Sequence, residues 1–229
     1  MARSSRHPAQ PNAAAYGDAI ADIYDEVHAD MGDVAEAVTV LAGLAAGGRA
    51  LELGVGTGRL AIPLAARGVP VHGIDVSPKM VAALRAKPGA EAVDVTLGDF
   101  ADVEVGGPFG LIYVCFNTFF GLTTLDAQQR CFNRVAAHLA PGGHFLVEAF
   151  VPPHRAPEAE SLRVSTTELF FRRGVVRMVP TELRCATVAE LDLMACLAGM
   201  RLADRWSSWR KAPFVRGSGS HISMYAVRP

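Results

Sequence analysis

The sequence predicts an α/β domain built on a doubly wound, mostly parallel sheet. Two patterns predict it. Short strand-like runs alternate with helical stretches between residues 50 and 150, and those runs are apolar at successive positions. A strand that is apolar on both faces must be covered on both, the condition of a parallel sheet between two helical layers. Right-handed crossovers then leave the doubly wound arrangement as the commonest topology. At 229 residues the chain reads as one elaborated domain, because single domains mostly run about 100–200 residues.

Residues 1–15, rich in Pro, Ala and Ser, read as a disordered lead-in to a single domain over 16–229. From Tyr16 to Leu44 the apolar positions Ile20, Ile23, Tyr24, Val27, Met31, Val34, Val38 and Leu41 follow a helical period. Ala50–Leu53 is a strand that ends in glycines, Arg59–Arg67 a helix, and Val69–Asp75 a second strand. Ser77-Pro78 sets a capping residue before a proline at the first helical position, so Lys79–Ala86 is a helix. Val93–Leu97 and Leu111–Phe116 are strands three and four, Asp126–Leu139 is a helix, and His144–Phe150 is strand five after a Pro141-Gly142-Gly143 turn. Beyond Phe150 the alternation breaks. Pro152, Pro153 and Pro157 precede β-prone stretches at Ser165–Phe171 and Val175–Val179. A helix at Val188–Gly199 and strands at Leu202–Trp209 and His221–Val227 follow, the last two close enough to pair antiparallel at the sheet edge.

Composition excludes several classes. A formal charge of −1 creates no field that draws the chain onto nucleic acid or an anionic membrane. Cys115, Cys131, Cys185 and Cys196 have no metal-ligand spacing and read as reduced thiols of a cytoplasmic protein. The N-terminus has no apolar segment of the kind a secretory signal needs, and no run is long enough to span a bilayer.

The strongest local signal is Glu52-Leu53-Gly54-Val55-Gly56-Thr57-Gly58, between a strand and a helix. Glycines there let the backbone turn tightly and approach a ligand beside unpaired helix N–H groups. A dinucleotide fingerprint requires glycine where Arg59 stands, so the spacing disfavours NAD or FAD. Asp75, with Val76 after it, ends the second strand where a carboxylate can accept both ribose hydroxyls. Asp99 and Phe100 follow the third strand and offer an acceptor and an aromatic face to an adenine ring. Together they outline one adenosyl site.

With ALELGVGTGRL, VHGIDVSPKM, VTLGDF, FGLIYVCFNTFF and AAHLAPGGHFLVEAF in order over residues 50–150, the chain resembles the class I S-adenosylmethionine-dependent methyltransferases. The resemblance implies a seven-stranded sheet of order 3-2-1-4-5-7-6 with an antiparallel last strand. It implies S-adenosyl-L-methionine as donor, S-adenosyl-L-homocysteine as product, and no metal. Glu52, Gly54 and Gly56 would then border the methionine part, Asp75 the ribose, and Asp99 and Phe100 the adenine. Phe116 and Asn117 would face donor and acceptor. The segment around Ile23-Tyr24-Asp25-Glu26-Val27-His28 is similar to the N-terminal helix of amino-sugar N-methyltransferases of antibiotic pathways, which makes Tyr24 a donor-contacting or methyl-orienting residue; packing with Ile20, Ile23 and Val27 is its other reading. That group carries a histidine after strand four, where this chain has Gly121. The domain then divides into lid helices over 16–46, a donor-binding core over 47–150, a substrate cover over 151–182 and a closing helix and strands over 183–229.

Methyl transfer from a sulfonium rests on in-line positioning in a site that excludes water. An amine needs only deprotonation, whereas a hydroxyl gains from a general base. His154 and Glu148, at the end of strand five, are the candidate bases, with Tyr24 as the third catalytic candidate. His28, on the lid, and His221, starting the last strand, join Asn117 as acceptor-side candidates. His7, His72, His138 and His144 read as structural or solvated. Phe170, Phe171, Trp206 and Trp209 line an acceptor pocket or pack in the core. The expected function is methylation of N or O on a small molecule of secondary metabolism, by a monomer or homodimer without nucleic-acid or membrane partners. A donor-binding protein with a non-methylating reaction and a macromolecule methyltransferase are the alternatives.

Overall fold

The structure, a computed structural model, describes residues 14–29, 33–102, 104–152, 162–172 and 175–227. The helices are α1 (Ala15–Ile20), α2 (Tyr24–Val27), α3 (Val34–Ala45), α4 (Ala61–Ala65), α5 (Pro78–Arg85), α6 (Leu125–His138) and α7 (Val188–Leu197). The strands are β1 (Ala50–Leu53), β2 (Val71–Asp75), β3 (Val93–Leu97), β4 (Phe109–Val114), β5 (Leu139–Phe150), β6 (Arg163–Arg172), β7 (Val175–Arg184), β8 (Met200–Trp206) and β9 (Ser220–Val227). Seven of them form one sheet in the order β3-β2-β1-β4-β5-β9-β8, and β6 and β7 form a separate hairpin. Setting the hairpin aside, the order is the expected 3-2-1-4-5-7-6. The pairings from β3 to β5 are parallel, and β9 runs antiparallel to both β5 and β8.

Each face of the sheet carries its own core. On one, Phe132, Cys131 and Val135 of α6 and Leu191 and Met194 of α7 pack on Phe109, Phe145 and Tyr225. On the other, Leu41 of α3, Leu64 of α4 and Leu84 of α5 pack on Leu111, Tyr113 and Leu146. Burial on both faces is why the central strands read as continuous apolar runs. Ser77 caps α5, its hydroxyl accepting from the Met80 N–H at 3.1 Å, and Thr187 with Glu190 forms a capping box at the start of α7.

Five departures from the sequence reading are seen. The single helical pattern over Tyr16–Leu44 is divided into α1, α2 and α3. Helices this short are marginal alone, and side chains of the first two are spent on tertiary partners. The Asp18 carboxylate accepts from Ser77 Oγ at 2.6 Å, and Asp25 from Thr57 Oγ1 at 2.7 Å. Pro141-Gly142-Gly143 lies inside β5, where the β4–β5 register shifts between Phe109 and Leu111, so it is a bulge rather than a turn before the strand. Residues Phe116 and Asn117 leave β4 in left-handed conformation, at φ 59° and 62°. Trp209 lies beyond β8, which ends at Trp206. The hairpin over part of the expected substrate cover packs on the lid, with Phe170 and Val179 against Ile20, Met80 and Tyr24. Phe171 is 69% exposed.

His221 is fully buried in the last strand, its Nδ1 2.9 Å from Ser223 Oγ. Arg205 Nε donates to that same hydroxyl at 2.7 Å, and Tyr225 Oη donates to Asp192 at 2.9 Å. Burial, with Arg205 nearby and Asp192 opposing, pushes the His221 imidazole down to about 4; a protonated ring would bury a charge beside a guanidinium. The unfolded chain binds that proton more readily. The stability contribution is therefore complete above about pH 6.5 and is lost as pH falls toward 4, about 3 kcal/mol over the whole window. Thermal melts between pH 7 and 4 should show His221→Gln losing distinctly less stability than the parent chain; equal losses would remove His221 as the titrating group.

Candidate active site

The glycine turn after β1 is the floor of the site. Gly54 has φ 74°, and a Cβ there would fall 2.3 Å from Thr118 Cγ2, so no side chain fits. Beside it Gly56, at φ 55°, faces open space. The Asp75 carboxylate crosses under the turn, accepting from the Gly56 N–H at 2.7 Å and from the Ser77 N–H at 2.8 Å. Burial raises the basicity of this carboxylate, opposed by N–H groups of Ser77, Gly56 and Val76. Glu52 is 5% exposed, accepts from the Tyr113 hydroxyl at 3.0 Å, and is raised by burial to about 8.

The lid closes over this floor. Tyr24, Glu52, Gly54, Gly56, Arg59, Phe116 and Thr118 line one cleft. The Arg59 guanidinium lies 5.0 Å from the Phe116 ring centroid and against the Tyr24 hydroxyl. His28 packs between Tyr24 and Phe116, at centroid distances of 4.3 and 5.4 Å. Its Nδ1 is 2.8 Å from the Tyr24 carbonyl. A carbonyl only accepts, so Nδ1 carries the hydrogen and Nε2 of the neutral ring is the acceptor nitrogen. Asp25 anchors the lid, pairing with Lys87 Nζ at 2.6 Å and with Thr57.

At the mouth, the ends of β4 and β5 are stitched together. The Phe116 N–H donates to Glu148 Oε2 at 3.1 Å, and the Asn117 N–H to the Glu148 carbonyl at 3.2 Å. The Phe150 N–H donates to Asn117 Oδ1 at 2.7 Å, and the Trp209 indole N–H to Glu148 Oε1 at 2.8 Å. A left-handed non-glycine residue costs roughly 1–2 kcal/mol, and these bonds hold two in succession.

The cleft thus brings together Tyr24, Glu52, Gly54, Gly56 and Phe116, with His28 packed against its rim. Asp75 and Val76 lie beneath the glycine turn. Several expectations require correction. Both Glu148 oxygens accept hydrogen bonds, which leaves it poorly placed as a base. His221 is buried among Ser223, Arg205 and Phe214 rather than on the acceptor side. The Phe100 ring is 8% exposed and packs in the core under Gly54, so it offers adenine no open face. Asp99 accepts from the Ala101 N–H at 2.8 Å, and burial raises its basicity. Asn117 spends its side-chain oxygen on Phe150. His154 lies outside the described residues. Trp206 and Trp209 are core residues, which agrees with the packing alternative read for them in the sequence. Arg59 and Thr118 were not read as site residues; the glycine spacing singles out Arg59 only as a non-glycine, and nothing local marks Thr118.

The glycine cradle, the ionisable Glu52 beside it and Asp75 at the end of β2 fit an adenosyl amino acid. Among the described residues no cluster of three or more His, Cys, Asp or Glu could hold a metal, and no helix is long and apolar enough to cross a membrane. Residues 50–143 match a family described as "Methyltransferase domain". The chain is 27% identical over 192 residues to a cypemycin N-terminal methyltransferase of Streptomyces sp, covering 73% of this chain and 78% of that protein. It is 31% identical over 145 residues to dTDP-4-amino-2,3,4,6-tetradeoxy-D-glucose N,N-dimethyltransferase of Saccharopolyspora spinosa, spanning 59% of this chain and 56% of that protein. The solved structure of the CcbJ methyltransferase from Streptomyces caelestis superposes with a TM-score of 0.88 at 35% identity, covering 96% of this chain and all of that one (100%). With that identity along the whole length of a solved methyltransferase, the chain belongs to the class I S-adenosylmethionine-dependent methyltransferases.

Proposed function

We propose that the protein methylates an amine nitrogen of a small molecule of secondary metabolism. The observation that carries this reading is the cleft itself. Lid residue Tyr24 joins the glycine turn in its lining, and the His28 ring packs against Tyr24 and Phe116, both of which line it. The relatives' names support nitrogen: one is an N-terminal methyltransferase and another an amino-sugar N,N-dimethyltransferase.

In this reading Glu52 and Arg59 present opposite charges to the ammonium and carboxylate of the donor. Asp75 accepts the ribose hydroxyls, and the Asp99 carboxylate with the Phe100 backbone borders the adenine. When bound, the sulfonium supplies an electrophilic methyl carbon and departs as a neutral thioether. Tyr24 and Phe116 wall the methyl site and exclude water. His28 Nε2 takes the proton of the acceptor ammonium, freeing the nitrogen lone pair that forms the new N–C bond as the C–S bond breaks. Since His28 is half-exposed, that proton passes on to solvent. Oxygen is the second acceptor atom the same base serves.

Four outcomes are expected. Calorimetry should show the chain binding S-adenosylmethionine and S-adenosylhomocysteine but not NAD, and Asp75→Ala should weaken both by roughly 10- to 100-fold, as loss of a charged hydrogen-bond acceptor does. Unchanged affinity would remove Asp75 from the ribose. Burial pushes the Glu52 carboxyl up to about 8, and a cation bound beside it draws it back down. Affinity should therefore rise from pH 7 to 9, with proton release detected by calorimetry in two buffers of different ionisation enthalpy; Glu52→Gln should abolish both. Incubation with amine libraries should yield products heavier by one methylene unit. With an acceptor found that way, His28→Gln should slow transfer most below the acceptor's own pKa and least above it. A product of unchanged mass would favour a non-methylating reaction.

A further inference from the structure

Glu148 stands at the end of β5 with the chemistry of a base but the contacts of a brace. Its two carboxylate oxygens take one N–H each, from the Phe116 backbone at 3.1 Å and from the Trp209 indole at 2.8 Å. Trp209 is 4% exposed and embedded in the core, so it is a fixed donor. The peptide that Glu148 grips opens a turn of two left-handed non-glycine residues, Phe116 and Asn117. A bulky aromatic residue adopts that conformation only where its surroundings impose it. The outcome of the turn is the direction of the Phe116 ring, which meets the Arg59 guanidinium on one side and His28 on another.

Resting on the methyltransferase reading above, we propose that Glu148 and Trp209 are positioning residues of the donor site, acting through Phe116. Glu148 sets the turn that aims the Phe116 ring, and Trp209 sets Glu148. A segment well beyond the residues that carry the donor motifs thereby shapes the donor cleft. The requirement is specific to a carboxylate. Two N–H donors converge on one side chain, and only a group with two acceptor oxygens satisfies both. Glutamine, of the same length, offers one oxygen and must turn its NH2 toward one of the two donors.

The test is S-adenosylhomocysteine affinity by calorimetry, which needs no acceptor. Wild-type binding comes first, and its absence would defeat the functional reading rather than this one. Given wild-type binding, Glu148→Gln should weaken the ligand roughly 5- to 100-fold, as a buried donor left without an acceptor does. Adding Trp209→Phe should recover several-fold of that loss, because the glutamine oxygen is then free to face Phe116 while no indole N–H opposes its NH2. A brace of purely general stability would instead give losses that multiply. Where Glu148→Gln fails to fold, Trp209→Phe alone should still weaken binding several-fold. The chain has two tryptophans, so a Trp206→Phe background isolates Trp209 emission, which should shift on ligand binding with Glu148 in place. Wild-type affinity in Glu148→Gln, losses that multiply in the double variant, unchanged affinity in Trp209→Phe, or a silent Trp209 signal would each overturn the proposal.

Discussion

The Asp75 carboxylate is the contact on which most of the site depends. It joins the glycine turn after β1 to the start of α5 by accepting the Gly56 and Ser77 N–H groups. Ser77 in turn donates to Asp18 of the lid while accepting from Met80 to cap its own helix. Three elements from separate parts of the chain are therefore held through one side chain and its neighbour. Buried backbone N–H groups demand acceptors, and a carboxylate at a strand end meets that demand while remaining beside the groove where a ribose would lie.

The lid itself is acidic, and its charges look two ways. Asp18 and Asp25 face the core through Ser77, Thr57 and Lys87. Asp22 and Glu26 face the hairpin through Arg177 and Arg172, and Tyr16 donates to Glu168 there. The hairpin thus backs the lid. Exposed ion pairs are individually weak, often below about 1 kcal/mol, so the order of the lid depends on several of them together with the small apolar cluster of Ile20, Met80 and Val179. A cover held this lightly is suited to opening for ligand exchange.

Burial also sets the charge state of the site. Glu52, Asp75 and Glu148 are all raised in basicity by desolvation. Hydrogen bonds that they accept oppose this shift, from the Tyr113 hydroxyl, from the Gly56 and Ser77 N–H groups, and from Phe116 and Trp209 respectively, and Arg59 opposes it for Glu52 and Glu148. A cationic ligand entering the cleft supplies charge that these carboxylates lack.

The alternation of strands and helices, the glycine turn, Asp75 and the cap at Ser77 were legible in the sequence because each depends on local pattern: apolar periodicity, φ values only glycine tolerates, and a capping hydroxyl before proline. The broken lid helix was not, because tertiary partners of Asp18 and Asp25 decide it. Glu148 illustrates the difference most clearly. Its position near the end of strand five was readable, but its engagement by Phe116 and Trp209 required knowing that residue 209 folds back across the sheet. The sequence by itself determined the alternation of central strands and helices and the glycine turn after β1, since hydrophobic pattern and backbone sterics act over a few residues. The tertiary structure alone decided which N–H groups Glu148 accepts, that His28 packs against Tyr24 and Phe116, and that Arg59 lines the cleft, because burial and hydrogen-bond partners are properties of the packed chain.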